Sequence, residues 1–144
     1  MSQKTIAVGA DHGGYKLKQE LTKQLQKMGF TVLDFGTDNV DAVDYPDIAE
    51  FVVSALLNGK AEQGVLVCGS GIGMSIAANR HKGIRAALCN DEDSAELARQ
   101  HNDANILVLG ERLTELSVAK QCVKKFFLSD FQGGRHQRRV KKLG

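Results

Sequence analysis

Residues 64–79, Gly-Val-Leu-Val-Cys-Gly-Ser-Gly-Ile-Gly-Met-Ser-Ile-Ala-Ala-Asn, constrain the fold more than any other part of the chain. Residues 65–67 form a short, wholly apolar run, the pattern of a strand buried on both faces. The run ends at Cys68 and meets glycines at 69, 71 and 73, after which Ile, Met and Ala read as a helix. A strand that turns through glycine into a helix is the opening of a βαβ unit. Such a turn leaves backbone N–H groups unpaired at the helix start, a ready site for negative charge. Cys68 stands where that field favours thiolate over thiol. The stretch reads as a reactive centre.

The rest of the chain repeats the alternation. Residues 5–8 read as a first strand running into Gly9-Ala10-Asp11-His12-Gly13-Gly14. Leu17, Leu21, Leu25 and Met28 then recur at helical spacing, with Gly29 as the stop. Residues 30–35 are a second strand, followed by a polar loop over 36–44. Tyr45-Pro46-Asp47 opens a helix whose apolar face is predicted at Ile48, Phe51, Val52, Ala55 and Leu56, and Asn58-Gly59 ends it. After the glycine turn come a strand at 84–88, a helix following Asp91 and Glu92, and a strand at 104–109. A helix over 114–128 and a basic C-terminal helix over about 133–144 complete the chain. Strands alternating with helices every twenty to thirty residues predict an α/β fold: three αβα layers, Rossmann-like, around a five-stranded parallel sheet. With 144 residues and no internal repeat or linker, residues 1–144 are expected to be a single domain. Such sheets carry ligands at the carboxyl ends of their strands. Asp11 and His12, Cys68, and Glu111 with Arg112 all fall there.

Composition matters for what it excludes. No apolar run approaches a membrane span, and Met-Ser-Gln-Lys-Thr leads into a strand with no signal-peptide core. Cys68, Cys89 and Cys122 are odd in number, far apart and without CxxC spacing, which argues for reduced thiols in the cytoplasm and against disulfides or zinc. The net charge of +2 is uneven: residues 133–144 hold five basic side chains and no acid, leaving 14 basic against 17 acidic elsewhere. A patch this local suits an anion site or a solvated tail. No aromatic residue accompanies it to stack bases, which disfavours single-stranded nucleic acid.

Each motif also has a plain reading. The glycine spacing departs from the dinucleotide fingerprint, which needs its third glycine where this chain has Met74, and no triphosphate loop is present. Glycines after a strand sometimes only make a tight turn, but a cysteine at the strand end favours chemistry. Cys89 and Cys122 lack such a setting and read as inert thiols. Asp11-His12 suits a sugar hydroxyl, a phosphate, acid/base work or a helix cap. His101 suits proton transfer or a helix C-terminus. His81 reads as a solvated loop residue. Arg135 and Arg139, at i and i+4, share a face that suits a phosphate.

Five separated motifs then carry a resemblance. Asp11-His12-Gly13-Gly14, Asp44-Tyr45-Pro46, Cys68-Gly69-Ser70-Gly71-Ile72-Gly73, Arg99-Gln100-His101-Asn102-Asp103 and Gly133-Gly134-Arg135-His136-Gln137-x-Arg139 occur in the order found in type B ribose-5-phosphate isomerases. The chain resembles that family over essentially its whole length. The resemblance implies interconversion of D-ribose 5-phosphate and D-ribulose 5-phosphate without metal or organic cofactor. It implies Cys68 as the base between C2 and C1, with Ser70 and the amides of Gly69, Ser70, Gly71, Ile72 and Gly73 on the enediolate oxygen. His101, with Asp11, would open the ring. His12, Arg135 and Arg139, with Arg112 nearby, would hold the phosphate, and Asn102 and Tyr45 would contact the sugar. Some relatives use a glutamate further along the loop. Met74 occupies that position here, so the base falls to Cys68. The family also implies a homodimer or homotetramer with shared sites.

The chemistry agrees with the residues. Proton removal beside a carbonyl needs a suitably poised base and preorganised donors for the developing oxyanion, and a remote phosphate handle supplies orientation. A nucleotide-binding oxidoreductase would account for the sheet and glycines alone, and an anion-binding module would leave Cys68 unused. Hexose 6-phosphates of allose or galactose are the alternative substrates, decided by the depth between loop 36–45 and the phosphate-binding arginines.

Overall fold

Strands and helices alternate along the chain as the sequence predicts. The structure, a computed structural model, describes residues 4–37, 39 and 41–144. The first three residues, and Asp38 and Val40 of the predicted polar loop, lie outside the described residues. In order come β1 (Thr5–Ala10), α1 (Tyr15–Lys27), β2 (Thr31–Gly36), α2 (Tyr45–Leu57), β3 (Gln63–Cys68) and α3 (Ile72–Asn79). They are followed by β4 (Ala86–Leu88), α4 (Glu92–Gln100), β5 (Ile106–Gly110), α5 (Leu116–Leu128) and α6 (Arg135–Leu143). The strands make one parallel sheet in the order β2-β1-β3-β5-β4. The chain reverses its direction of travel across the sheet at β1, between β2 and β3, which opens a crevice at the carboxyl ends of β1 and β3.

Alternate residues of the inner strands supply two apolar layers. Ile6, Val8, Val65, Val67, Leu107 and Leu109 pack with α1, α4 and α5, centred on Phe126. Ala7, Leu66, Cys68, Ile106 and Val108 pack on the other face with α2 and α3. Because both faces are covered, β1, β3 and β5 are nearly continuous apolar runs, which the period-2 geometry of a strand divides between the layers. The same geometry sends Cys68 toward α2 and α3.

Differences from the sequence reading are local. Strand β4 begins at Ala86, two residues later than predicted, because the Arg85 N–H donates to Asn105 Oδ1 (2.8 Å). Helix α5 begins at Leu116 because Thr114 N–H closes a turn onto the Gly110 carbonyl. Gly133 and Gly134 have φ of 68° and 57°, which delays α6 to Arg135. The buried face of α2 is Ile48, Ala49, Val52, Val53 and Ala55; Phe51 stays half exposed and stacks on Phe35 of the edge strand β2 (6.3 Å). His81 is tied to Glu50 of α2, with Nε2 and Oε1 2.6 Å apart. Cys89 and Cys122 are both buried in the α1/α4/α5 layer. Burial pushes the Cys89 thiol pKa up and that of Cys122 to about 12.

Candidate active site

Three strand ends meet at the crevice. The Asp11 N–H donates to the Val67 carbonyl (3.3 Å), Glu111 N–H to Cys68 O (2.9 Å) and Arg112 N–H to Gly69 O (2.9 Å). The turns after β1, β3 and β5 are thereby laced together by backbone. A Cβ at Gly14 would lie 2.6 Å from Val67 O, so the β1–α1 turn rests directly on β3. Gly71 caps α3 with φ 80°, a left-handed conformation that side chains rarely adopt.

Cys68, the last residue of β3, is 5% exposed. Its Sγ accepts the Gly71 N–H at 3.2 Å, so the first turn of α3 is aimed at the sulfur. Ser70 Oγ accepts the Ile72 N–H (3.2 Å), which leaves the hydroxyl hydrogen available to a ligand. Of the five amides at 69–73, those of Gly71 and Ile72 are therefore engaged within the turn. Those of Gly69, Ser70 and Gly73 have no acceptor among the described residues.

The surrounding side chains close a cavity of about 570 Å³, within the range that holds a small metabolite. Asp11 is buried and spends one carboxylate oxygen on the Gly13 N–H (2.9 Å), an Asx turn that sets the chain direction out of β1. His12 Nδ1 accepts the Val43 N–H (3.2 Å), which in the neutral ring leaves the hydrogen on Nε2 as a donor. The Tyr45 ring lies against Gly73, where a Cβ would come within 2.6 Å of it. The Arg112 guanidinium lies over Gly69, 3.4 Å from where a Cβ would be. Glu111, at the same strand end, turns away and accepts the Leu17 N–H (2.7 Å) at the start of α1.

The remaining residues singled out in the sequence lie elsewhere. His101, Asn102 and Arg139 line a second cavity of about 350 Å³ together with His136, and no lining residue is common to the two cavities. Arg135, exposed at the start of α6, lines neither. His101 caps the C-terminus of α4, and its ring stacks on His136 with centroids 4.2 Å apart and planes 12° apart. Desolvation, and after it His101, Arg135 and Arg139, hold the His136 imidazole below the usual histidine range. The sequence reading gave no role to His136; its place one residue into α6, between Arg135 and Arg139, was the available signal. It also missed the side-chain cluster at Asp103, whose partners Arg85 and Arg99 lie 18 and 4 residues away. Among the described residues no group of three or more His, Cys, Asp or Glu is placed to hold a metal ion, and no helix is long and apolar enough to cross a membrane.

The signature of the Ribose/Galactose Isomerase family matches residues 6–143. The chain belongs to that family. Within the Ribose/Galactose Isomerase family it is 44% identical to ribose-5-phosphate isomerase B of Escherichia coli, over 97% of this chain and 94% of the relative. It is 40% identical to D-erythrulose-4-phosphate isomerase of Pectobacterium atrosepticum, over 97% and 93%. The solved structure of Clostridium thermocellum ribose-5-phosphate isomerase B superposes with a TM-score of 0.95 at 48% identity, over 97% of this chain and 95% of that one.

Proposed function

We propose that this chain interconverts D-ribose 5-phosphate and D-ribulose 5-phosphate through a cis-enediolate. The reading is carried by a sulfur at the head of a helix, receiving a backbone N–H, in a cavity that also holds His12, Tyr45, Ser70, Arg112 and the carboxylate of Asp11. The Cys68 thiolate takes the proton from C2 of the open-chain aldose, and the electron pair forms the C1–C2 double bond as O1 becomes the enediolate oxygen. The amides of Gly69, Ser70 and Gly73 and the Ser70 hydroxyl are the donors free to meet that charge. The thiol returns its proton to C1 while a proton passes from O2 to O1, which leaves the C2 ketone.

Ring opening precedes this step and needs a second acid/base. His101 takes the proton of the O1 hydroxyl and the resulting imidazolium gives a proton to the ring oxygen as the C1–O bond of the ring breaks and the C1 aldehyde forms, with Asp11 as a carboxylate beside the sugar. His101, Asn102, Arg135 and Arg139 lie outside the Cys68 cavity of their own chain. We assign them to the cavity of a second copy, as a homodimer or a homotetramer built from such dimers. Helix α6 buries only Val140 and leaves Leu143 65% exposed, while Ile72 and Ile76 of α3 are exposed at the Cys68 cavity, which suits two mutually covering surfaces. His12, through Nε2–H, and Arg112 hold the phosphate from one copy and Arg135 and Arg139 from the other. Tyr45 and Asn102 contact the sugar.

The test is a coupled isomerase assay on ribose 5-phosphate, allose 6-phosphate and galactose 6-phosphate with EDTA present. Pentose turnover that falls by three orders of magnitude or more in Cys68→Ala is the expected result; turnover of a hexose phosphate alone would replace the substrate and keep the base. No turnover of any of the three by folded protein would end the proposal.

A further inference from the structure

The turn that presents His101 and Asn102 is held far more firmly than an exposed turn requires. Asp103, immediately after them, has φ 47°, the one positive φ of a non-glycine residue among the described residues. A Cβ disfavours that conformation, so it persists where the surroundings impose it. Two arginines impose it from opposite sides. Arg99, one turn back on α4 and 11% exposed, donates Nη1 to Asp103 Oδ1 (2.8 Å) and to the Ala104 carbonyl (2.7 Å). Arg85, just before β4, donates Nε to the Asp103 carbonyl (2.9 Å), and its Nη2 lies 3.6 Å from Asp103 Oδ2. The Arg99 guanidinium rests over the Phe126 ring in the core (5.9 Å), and the Arg85 backbone is stitched to Asn105 in both directions. The turn is thus clamped to the α4/α5 layer by one arginine and to the edge of the sheet by the other. Both oxygens of the Asp103 carboxylate thus face an arginine of this clamp.

We propose that Asp103, Arg85 and Arg99 are positioning residues for ring opening: the clamp fixes the backbone from which His101 and Asn102 project, so that His101 meets the sugar ring in a productive geometry. The inference rests on the role given to His101 above. It separates two halves of one reaction. Aldose turnover uses His101 as well as Cys68; exchange of the C1 proton of ribulose 5-phosphate with solvent uses Cys68 and its oxyanion donors without His101, because a ketopentose with a phosphorylated 5-hydroxyl has no furanose to open. Small displacements of a catalytic group cost large factors in rate.

Asp103→Gly is the discriminating variant, since glycine accepts the left-handed backbone and removes only the carboxylate. Arg85→Lys keeps the charge and removes the Nε–H contact, and serves if the first variant folds poorly. Two rates are read at saturating sugar phosphate: conversion of ribose 5-phosphate, and loss of the C1 proton signal of ribulose 5-phosphate in D₂O. The inference predicts conversion reduced about tenfold or more, with exchange within about twofold of wild type, and a smaller loss of conversion in Asp103→Asn. Conversion and exchange falling together in both variants, or conversion unchanged, would overturn it. Wild-type protein that neither converts nor exchanges these sugars would instead remove the isomerase reading, and the positioning role with it.

Discussion

Cys68, Cys89 and Cys122 are chemically identical in the sequence and are separated by their surroundings. Cys68 receives an N–H at the head of α3 and lines a cavity, whereas burial raises the pKa of Cys89 and takes that of Cys122 to about 12. At pH 8, iodoacetamide should alkylate Cys68 alone in the native protein and abolish isomerase activity, with Cys89 and Cys122 reacting only after unfolding. Peptide mapping that found Cys122 modified first would contradict this. The raised thiols also carry a sign. Folded Cys122 keeps its proton where an unfolded thiol loses it, so stability is fully present below about pH 9 and is lost as pH rises toward about 12. His136 shifts the other way. Its NMR titration midpoint should lie below the ordinary histidine value of about 6.5 and move upward in Arg139→Met, which removes one repelling charge. Stability linked to its neutral form is present above that ordinary value and is lost as pH falls through the folded midpoint. A midpoint above the ordinary value would remove the assigned cause. The place of Cys68, at a strand end before the turn that opens α3, was legible because strand, glycine turn and helix are contiguous in sequence. The partners of Asp103 were not, because Arg85 reaches it only once β4 and α4 are docked.

Helices and strands follow local patterns closely enough that every element of the fold is readable in the chain, with boundaries moved by contacts the pattern does not contain. Strand order belongs to burial: Ile106–Gly110 is wholly buried and sits inside the sheet, while Ala86–Leu88 is partly exposed and takes the edge. Lys18 is the polar residue that helical spacing misplaces. It lies on the buried face of α1, donating to Asp34 Oδ1 and the Thr37 carbonyl at 2.7 Å each. These bonds anchor the end of β2 and the start of the loop that brings Val43 to His12 and Tyr45 to the cavity. Lys18 is 3% exposed and Asp34 55%, so the two ends of the pair are not equivalent. Asp34→Ala strands a buried ammonium and should cost about 2–3 kcal/mol. Lys18→Met removes the charge, leaves one carbonyl short of a partner and should cost about 1 kcal/mol. Urea unfolding of the two variants measures this order, and the reverse order would show that the ammonium finds water when its partner is gone.

At the scale of the whole molecule, the residues that the sequence groups into one site, Gly71 and Arg135 apart, divide between two cavities of one chain. Family resemblance brought Cys68 and His101 together on paper; the fold of a single chain does not bring their cavities together, because one lies at the carboxyl ends of β1 and β3 and the other between the end of α4 and α6. A second copy resolves this if α6 of each chain covers the Cys68 cavity of the other. Subunit complementation tests that account most directly. Cys68→Ala and His101→Asn, each inactive alone, are mixed in equal amounts under conditions that allow subunits to exchange, and ribose 5-phosphate turnover is measured. In a mixed dimer one of the two shared sites regains both residues, so activity should return to about a quarter of wild type. If mixed dimers form, as resolved by mass, and activity stays at the level of the separate variants, then the base and the ring-opening residue are not drawn from two chains and the account is wrong.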